Sequence, residues 1–205
     1  MKSASTLMII GSALLLGLFI FPLWSITLEA PQYPSGIGMN IHLDGLVGKE
    51  KHDLQNIDGL NHYIGMSKLP KPNEMWEFSV FPMVVGGMAL FGILLGFLGL
   101  LKGISPKWFL GWLILMVILG VLGMYDFNAW MVDYGTNLDP KAIMKMTDAN
   151  GNPLSYKPPL FGTRHILNFV AHSYPHTGAY MMGFGMFLTF IAYWLGNKKM
   201  KTIEA

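Results

Sequence analysis

The chain of 205 residues contains no cysteine, which excludes disulfide bonds and metal sites built from thiolates. Charge is also scarce, because Asp, Glu, Lys and Arg make up 13% of the chain, whereas a soluble domain carries about a quarter. The net charge of +2, without a basic patch of interleaved aromatics, gives no indication of nucleic-acid binding. G-x-S-x-G, H-E-x-x-H and Walker motifs are missing as well, and we expect a protein that is not an enzyme.

The hydrophobic residues, 52% of the chain, are concentrated in four uncharged runs of about 18–22 residues. These runs are Leu7–Trp24, Val80–Leu101, Trp108–Tyr125 and Thr177–Leu195. At a rise of ~1.5 Å per residue, each run can cross the ~30 Å hydrocarbon core of a membrane as a helix. The sequence therefore predicts four transmembrane helices. The first is expected to be an uncleaved anchor, because no small-x-small cleavage site follows it.

Lysines predict the orientation of these helices. Six of them crowd into the short segments Met1–Thr6, Lys102–Lys107 and Gly196–Ala205, and such a density marks the cytoplasmic side. Both termini are then cytoplasmic. The predicted organisation is transmembrane helix 1 over residues 1–24, an extracytoplasmic segment over 25–79, helices 2 and 3 over 80–125, a second extracytoplasmic segment over 126–176, and helix 4 with a cytoplasmic tail over 177–205.

The two extracytoplasmic segments carry patterns of strands and amphipathic helices. Alternation of apolar with small or polar residues predicts a hairpin of Ser25–Ala30 with Ile37–Leu43. Helical spacing of apolar residues predicts an amphipathic helix over Asp53–Met66 and an interfacial helix over Arg164–His172, whose apolar side includes Leu167. The predicted fold class is an α-helical integral membrane protein, with four transmembrane helices and a small α+β extracytoplasmic cap.

Histidine is distributed unevenly along the chain. Imidazole is the commonest metal-binding side chain, and thioether joins it as a ligand for Cu(I). The alternative is that each histidine is an interfacial residue hydrogen-bonded to backbone or water. All six histidines fall in the two extracytoplasmic segments: His42, His52, His62, His165, His172 and His176.

Two pairs of candidate ligands are close in the sequence. One is a histidine and a methionine four residues apart on the predicted helix over Asp53–Met66, and the other is two histidines that flank a Ser-Tyr-Pro break. A nearby carboxylate can complete such a site or orient a ring. The predicted copper ligands are His62, Met66, His172 and His176, with Asp58 and Asp126 as supporting carboxylates.

Haem and quinol are the alternative cofactors, and either would make the protein an electron-transfer subunit. Haem held by two histidines needs imidazoles that face each other across a bundle, and no histidine lies inside a hydrophobic run. An interfacial His–Asp pair can accept the protons of a quinol, and Asp126 with His176 suits that role.

Several short segments of the sequence resemble those of a known group of proteins. They occur in a layout of one helix, an outer domain and three more helices. LEAPQYP, HDLQNIDGLNHYIGM, YDF, DYGTNLDP, YKPPLFG and SYPH are similar to small four-helix bacterial membrane proteins associated with nitrous-oxide reductase maturation gene clusters. The resemblance spans nearly the whole chain. It implies copper handling or electron delivery at the outer side of the bacterial cytoplasmic (inner) membrane, and it assigns no role to individual residues.

Beside the electron-transfer subunit, these observations lead to two further hypotheses of different classes. The first is a membrane accessory factor that delivers copper to, or assembles, an exported respiratory metalloenzyme. The resemblance implies that metalloenzyme, a copper chaperone lipoprotein and an ABC-type exporter as partners, beside membrane lipid. The second is a structural subunit of a larger membrane complex, because the small residues of GGMALFGILLGFLGLLKG (86–103) let helices approach closely.

Overall fold

The computed structural model describes residues 2–144, 147, 151, 155–166 and 168–204. In this part of the chain the protein forms five α-helices and one five-stranded sheet. The helices are α1 (Lys2–Ala13), α2 (Asp53–Ile64), α3 (Glu77–Lys102), α4 (Lys107–Thr136) and α5 (Thr177–Glu204), and a 3-10 helix over Leu14–Phe19 continues α1. The strands are β1 (Trp24–Ala30), β2 (Tyr33–His42), β3 (Gly45–Gly48), β4 (Gly162–Ile166) and β5 (Phe169–Pro175).

Four of the helical stretches are long and apolar enough to cross a membrane, as the hydrophobic runs predict. They are Lys2–Phe19, Glu77–Lys102, Lys107–Thr136 and Thr177–Met200. The boundary of the first differs from the predicted one at residue 24. Trp24 belongs to β1, where its backbone pairs with Ile41 on one side and Pro175 on the other.

Glycines allow the close packing of the helical bundle, in which α1 contacts both α3 and α5. A Cβ at Gly11 of α1 would lie 2.6 Å from the carbonyl oxygen of Gly185 of α5. A Cβ at Gly96 of α3 would lie 3.0 Å from the carbonyl oxygen of Ser5 of α1. Only glycine permits backbones to approach so closely, so the expected role of the small residues is confirmed at these positions.

The sheet is antiparallel throughout and has the strand order β3-β2-β1-β5-β4. Its centre is the predicted hairpin, which is confirmed, with Ile26 of β1 opposite Met39 of β2. On its other side β1 pairs with β5, and Thr27 stands opposite His172. The sheet thus brings together two segments that are more than a hundred residues apart in the sequence.

One face of the sheet packs against α2 and against the last turns of α4. Ile26, Met39, Ile57 and Met131 form a buried apolar core between these elements. We call the sheet together with α2 the cap. Because α4 continues through Thr136, a single helix supplies both a wall of the bundle and part of the core of the cap.

The predicted interfacial helix over Arg164–His172 is wrong, since this segment forms β4 and β5. The two strands pair antiparallel, with Ile166 opposite Phe169, and Asn168 lies in the turn between them. Leu167, on the apolar side of the predicted helix, lies outside the described residues. The segment is a strand pair because β1 offers an edge along which β5 completes its backbone hydrogen bonds.

The helix predicted over Asp53–Met66 is present as α2, but it ends two residues earlier than expected. Gly65 adopts a left-handed conformation with φ of 82°, and the N–H of Met66 donates to the carbonyl oxygen of Asn61. This is a common way to end a helix, since glycine carries no Cβ penalty at positive φ. Met66 therefore does not continue the helical face that carries Asp58 and His62.

Candidate functional site

A half-open cleft of about 570 Å³, which we call the chamber, lies between α3 and α4 at the end of the bundle that carries the cap. Most of its wall is apolar. Leu18, Leu23 and Met182 close it from the side of α1 and α5, and Ile41 and Leu46 of the sheet lie over it. A concave, mainly apolar site with a few polar groups is the usual form of a pocket for a small molecule.

The helical repeat explains why α3 and α4 each turn one continuous face to the chamber. Residues at spacings of four, seven and eleven share one side of a helix. On α3 the lining positions Glu77, Phe81, Val84 and Met88 follow this series. On α4 it is followed by Leu119, Gly123, Asp126 and Trp130.

A hydrogen bond joins the two helices at the foot of the chamber. The indole N–H of Trp112 on α4 donates to the carbonyl oxygen of Met88 on α3, with 2.9 Å between donor and acceptor. Trp112 is 1% exposed, so the bond is shielded from solvent. Toward the cap, beyond this contact, the chamber separates α3 from α4.

Aromatic side chains form the wall near the cap, and several of them are held in place by specific contacts. The indole N–H of Trp24 donates to the hydroxyl of Ser173 at 2.8 Å, and its ring meets that of Phe127 edge to face at 5.7 Å between centroids. Trp130 stacks on Tyr134 with 4.8 Å between centroids. This part of the wall is therefore preformed.

Two carboxylates and an imidazole line the chamber near the cap, beside the exposed phenol of Tyr125: His42 is at the end of β2, Glu77 at the start of α3 and Asp126 on α4. All three are partly buried. Among the described residues, none of these side chains has a hydrogen-bond or ion-pair partner. The described lining contains neither Lys nor Arg, so its charge comes from the two carboxylates and the imidazole.

The predicted copper ligands are distributed over the cap and are not gathered in the chamber. His62 is exposed on α2, where its ring lies 6.4 Å from that of Tyr63. The carboxylate of Asp58 accepts a hydrogen bond of 2.7 Å from the backbone N–H of Leu69. Met66 is partly buried beyond the end of α2.

His172 lies on the face of the sheet opposite to α2. It stands across from Thr27, whereas the neighbouring Ile26 packs toward α2, and successive residues of a strand point to opposite faces. Its Nδ1 lies 2.8 Å from the hydroxyl of Thr163, and its Nε2 lies 3.5 Å from the carboxylate of Glu29. The sheet therefore separates the ring of His172 from the side of the cap that carries His62.

His176 connects β5 to α5, and its backbone N–H donates to the carbonyl oxygen of Leu23. Its Nδ1 is buried and has no hydrogen-bond partner within the described residues. No group of three or more His, Asp or Glu side chains in the described ranges is arranged to hold a metal ion. Copper binding by these residues stays a prediction.

Of the six predicted site residues, Asp126 is the one that lines the chamber. The sequence argument paired it with His176, whereas the structure places it in one lining with His42 and Glu77. Both of these were missed. Glu77 lies four and seven residues before Phe81 and Val84, so it shares their side of a helix. This spacing was the signal that the helix extends one turn beyond the hydrophobic run, toward the cap.

Comparisons with known proteins add no family or function to this geometry. No protein-family model, no curated protein and no solved structure matches the chain. The resemblance to proteins of nitrous-oxide reductase maturation clusters stays a prediction, and so do the expected partners.

Proposed function

We propose that the four long helices span the cytoplasmic membrane of a bacterium and that the cap lies outside the cytoplasm. The lengths and compositions of the helices support this arrangement. Lys2, at the start of α1, and Lys102 and Lys107, which flank the α3–α4 connection, lie at the end of the bundle away from the cap. Lysines in short loops are enriched on the cytoplasmic side.

We propose that the protein binds a lipophilic molecule in the chamber between α3 and α4. The observation that carries this proposal is the chamber itself, because about 570 Å³ of mainly apolar space lies beside two carboxylates and an imidazole. A molecule with a long apolar chain and a small polar head fits this division, with the chain between the helices and the head near the cap. Such a protein would present or store a membrane-soluble molecule at the outer surface.

Filling the chamber tests this function. Gly123 lines the chamber, and a Cβ built there meets no atom within 4 Å, so Gly123→Phe adds a ring to this wall without a clash at its Cβ. Gly111→Phe is the matched control, because Gly111 lies on the same helix, is exposed, has equally open surroundings and is outside the lining.

Native mass spectrometry of the detergent-solubilised protein measures the outcome by counting bound lipophilic molecules. We expect the wild type and Gly111→Phe to retain a molecule that Gly123→Phe loses. Equal retention by both variants would show that the chamber is not the binding site.

A further inference from the structure

We infer that the chamber binds a hydroquinone with a long apolar tail, an inference that rests on the proposed function and names the class of its ligand. The chemistry of the head group follows from the two carboxylates and the imidazole near the cap. The tail requires only the apolar space between α3 and α4. The inference concerns binding of the reduced, hydroxyl-bearing form.

The first argument is the supply of unpartnered hydrogen-bond acceptors. Glu77 and Asp126 stand on facing helices, both are partly buried, and neither side chain is bonded to a described residue. Their oxygens are free acceptors, and a bound molecule that covered them without donating would leave them unpaired, so these carboxylates favour a ligand that donates hydrogen bonds. A hydroquinone carries two hydroxyl donors at opposite ends of its ring, which suits acceptors that stand on different helices.

The second argument is charge. No Lys or Arg belongs to the described lining, and two carboxylates do. A phosphate or carboxylate head group would face like charges without a compensating cation, which disfavours phospholipids and fatty acids. A hydroquinone is neutral, so it meets the carboxylates without this repulsion.

The third argument is the aromatic wall. The ring of Trp76 meets that of Phe81 edge to face at 6.1 Å between centroids, and Trp24 meets Phe127 in the same way at 5.7 Å. All four residues line the chamber near the ionisable groups. Aromatic rings pair favourably in stacked or edge-to-face geometry, so this wall favours a planar aromatic head.

A cationic amphiphile is the competing ligand, because an ammonium group also satisfies carboxylates and packs on aromatic faces. An ammonium is a single compact charge, whereas the candidate acceptors belong to three elements, β2, α3 and α4. We therefore favour the ligand with two separated donors and use the cation as an arm of the test.

The test compares matched ligands on the intact protein in detergent under reducing conditions. The probes are decylhydroquinone, its dimethyl ether, which has the same shape but no hydroxyl donor, and dodecylamine. Quenching or enhancement of tryptophan fluorescence gives each dissociation constant. We expect the wild type to bind decylhydroquinone at least ~tenfold more tightly than the ether, the size of effect given by hydrogen bonds to charged acceptors.

Variants then assign this preference to the carboxylates. In Glu77→Gln/Asp126→Asn the preference for the hydroquinone over its ether should fall at least ~tenfold, while the ether itself binds as before. Asp133→Asn is the control, because Asp133 is an exposed carboxylate on α4 outside the lining. It should keep the wild-type preference.

The outcomes separate the inference from the function on which it rests. Equal binding of hydroquinone and ether by the wild type overturns the inference. The inference is also overturned if dodecylamine binds the wild type more tightly than the hydroquinone does and if its binding is weaker in Glu77→Gln/Asp126→Asn. In both cases the proposed function stands if Gly123→Phe still weakens binding. If no probe binds, or if Gly123→Phe binds every probe like the wild type, the proposed function fails as well.

Discussion

The carboxylate of Asp53 accepts a hydrogen bond of 2.9 Å from the backbone N–H of Gly38 and thereby fastens the start of α2 to β2. It accepts a second one, of 3.1 Å, from the N–H of Glu50. Asp53 is 4% exposed, and it occupies the first turn of α2, where the helix dipole also favours a negative charge. Asp53 is in this way a buried anchor of the cap.

We predict that Asp53→Ala destabilises the cap by about 2–3 kcal/mol, because it leaves two backbone N–H groups without their acceptor. Thermal unfolding in detergent measures the change. Asp44→Asn, at an exposed turn residue, is the control and should leave the melting temperature unchanged. A melting temperature of Asp53→Ala equal to that of the control would contradict the anchoring role.

We predict that Gly96→Leu disrupts the contact of α1 with α3 and costs about 1–3 kcal/mol, the usual range for overpacking. A Cβ at this position would meet the side chain of Ile9 and would lie 3.0 Å from the carbonyl oxygen of Ser5. Gly87→Leu is the matched control on the same helix, since a Cβ there meets nothing within 4 Å. Thermal stability in detergent distinguishes the two variants, and equal stabilities would count against close packing at Gly96.

The absence of cysteine allows a clean test of orientation. We predict that a cysteine introduced by Lys51→Cys, between β3 and α2, reacts with a membrane-impermeant maleimide in intact spheroplasts. A cysteine from Lys199→Cys, near the end of α5, should react only after the membrane is permeabilised. Both positions are exposed, so their reactivity reports access and not burial. The reverse pattern would place the cap in the cytoplasm.

The copper prediction is tested by Cu(I) titration against a competing chelator. If the sequence argument holds, the wild type binds Cu(I), and a variant with alanine at His62, Met66, His172 and His176 binds at least ~tenfold more weakly. Alanine at His52 and His165, which are exposed and outside the predicted site, provides the control. Indistinguishable titrations of wild type and fourfold variant would remove the ligand assignment.

Length and composition were enough to predict the four long helices, because an uncharged run of about 20 residues has few alternatives. The central hairpin was equally accessible, since Ile37, Met39 and Ile41 alternate with small or polar residues. What the sequence could not show is which elements meet in space. The pairing of β1 with β5 brings Trp24 against Pro175, and no local pattern specifies so distant a partner.

The incorrect helix over Arg164–His172 shows how a short pattern misleads. Apolar residues at Ile166, Phe169 and Val170 fit a helical stripe. They fit a hairpin equally well, because Ile166 and Phe169 stand opposite each other across a turn. Alternation is hidden in β5, whose buried positions Ala171 and Ser173 are small and only weakly apolar. Asn168, a favourable turn residue, was a signal for the turn that the prediction of a helix overlooked.

The chamber was invisible in the sequence for a different reason. A hydrophobic run has the same composition whether its residues face lipid, a neighbouring helix or a cavity. Glu77 and Asp126 stand just outside the predicted runs, so each was assigned to an extracytoplasmic segment. Their place in one lining depends on how α3 and α4 separate beyond the contact of Trp112 with Met88.

The unbroken course of α4 has a mechanical consequence. With 30 residues it is about 45 Å long. Near its start it is held by the hydrogen bond of Trp112 to α3, and near its end Met131 is buried in the core beneath the sheet. A molecule in the chamber that displaces α4 must either bend this helix or tilt the cap that packs on its end. We therefore expect that a molecule bound in the chamber, if it displaces α4, also changes the orientation of the cap.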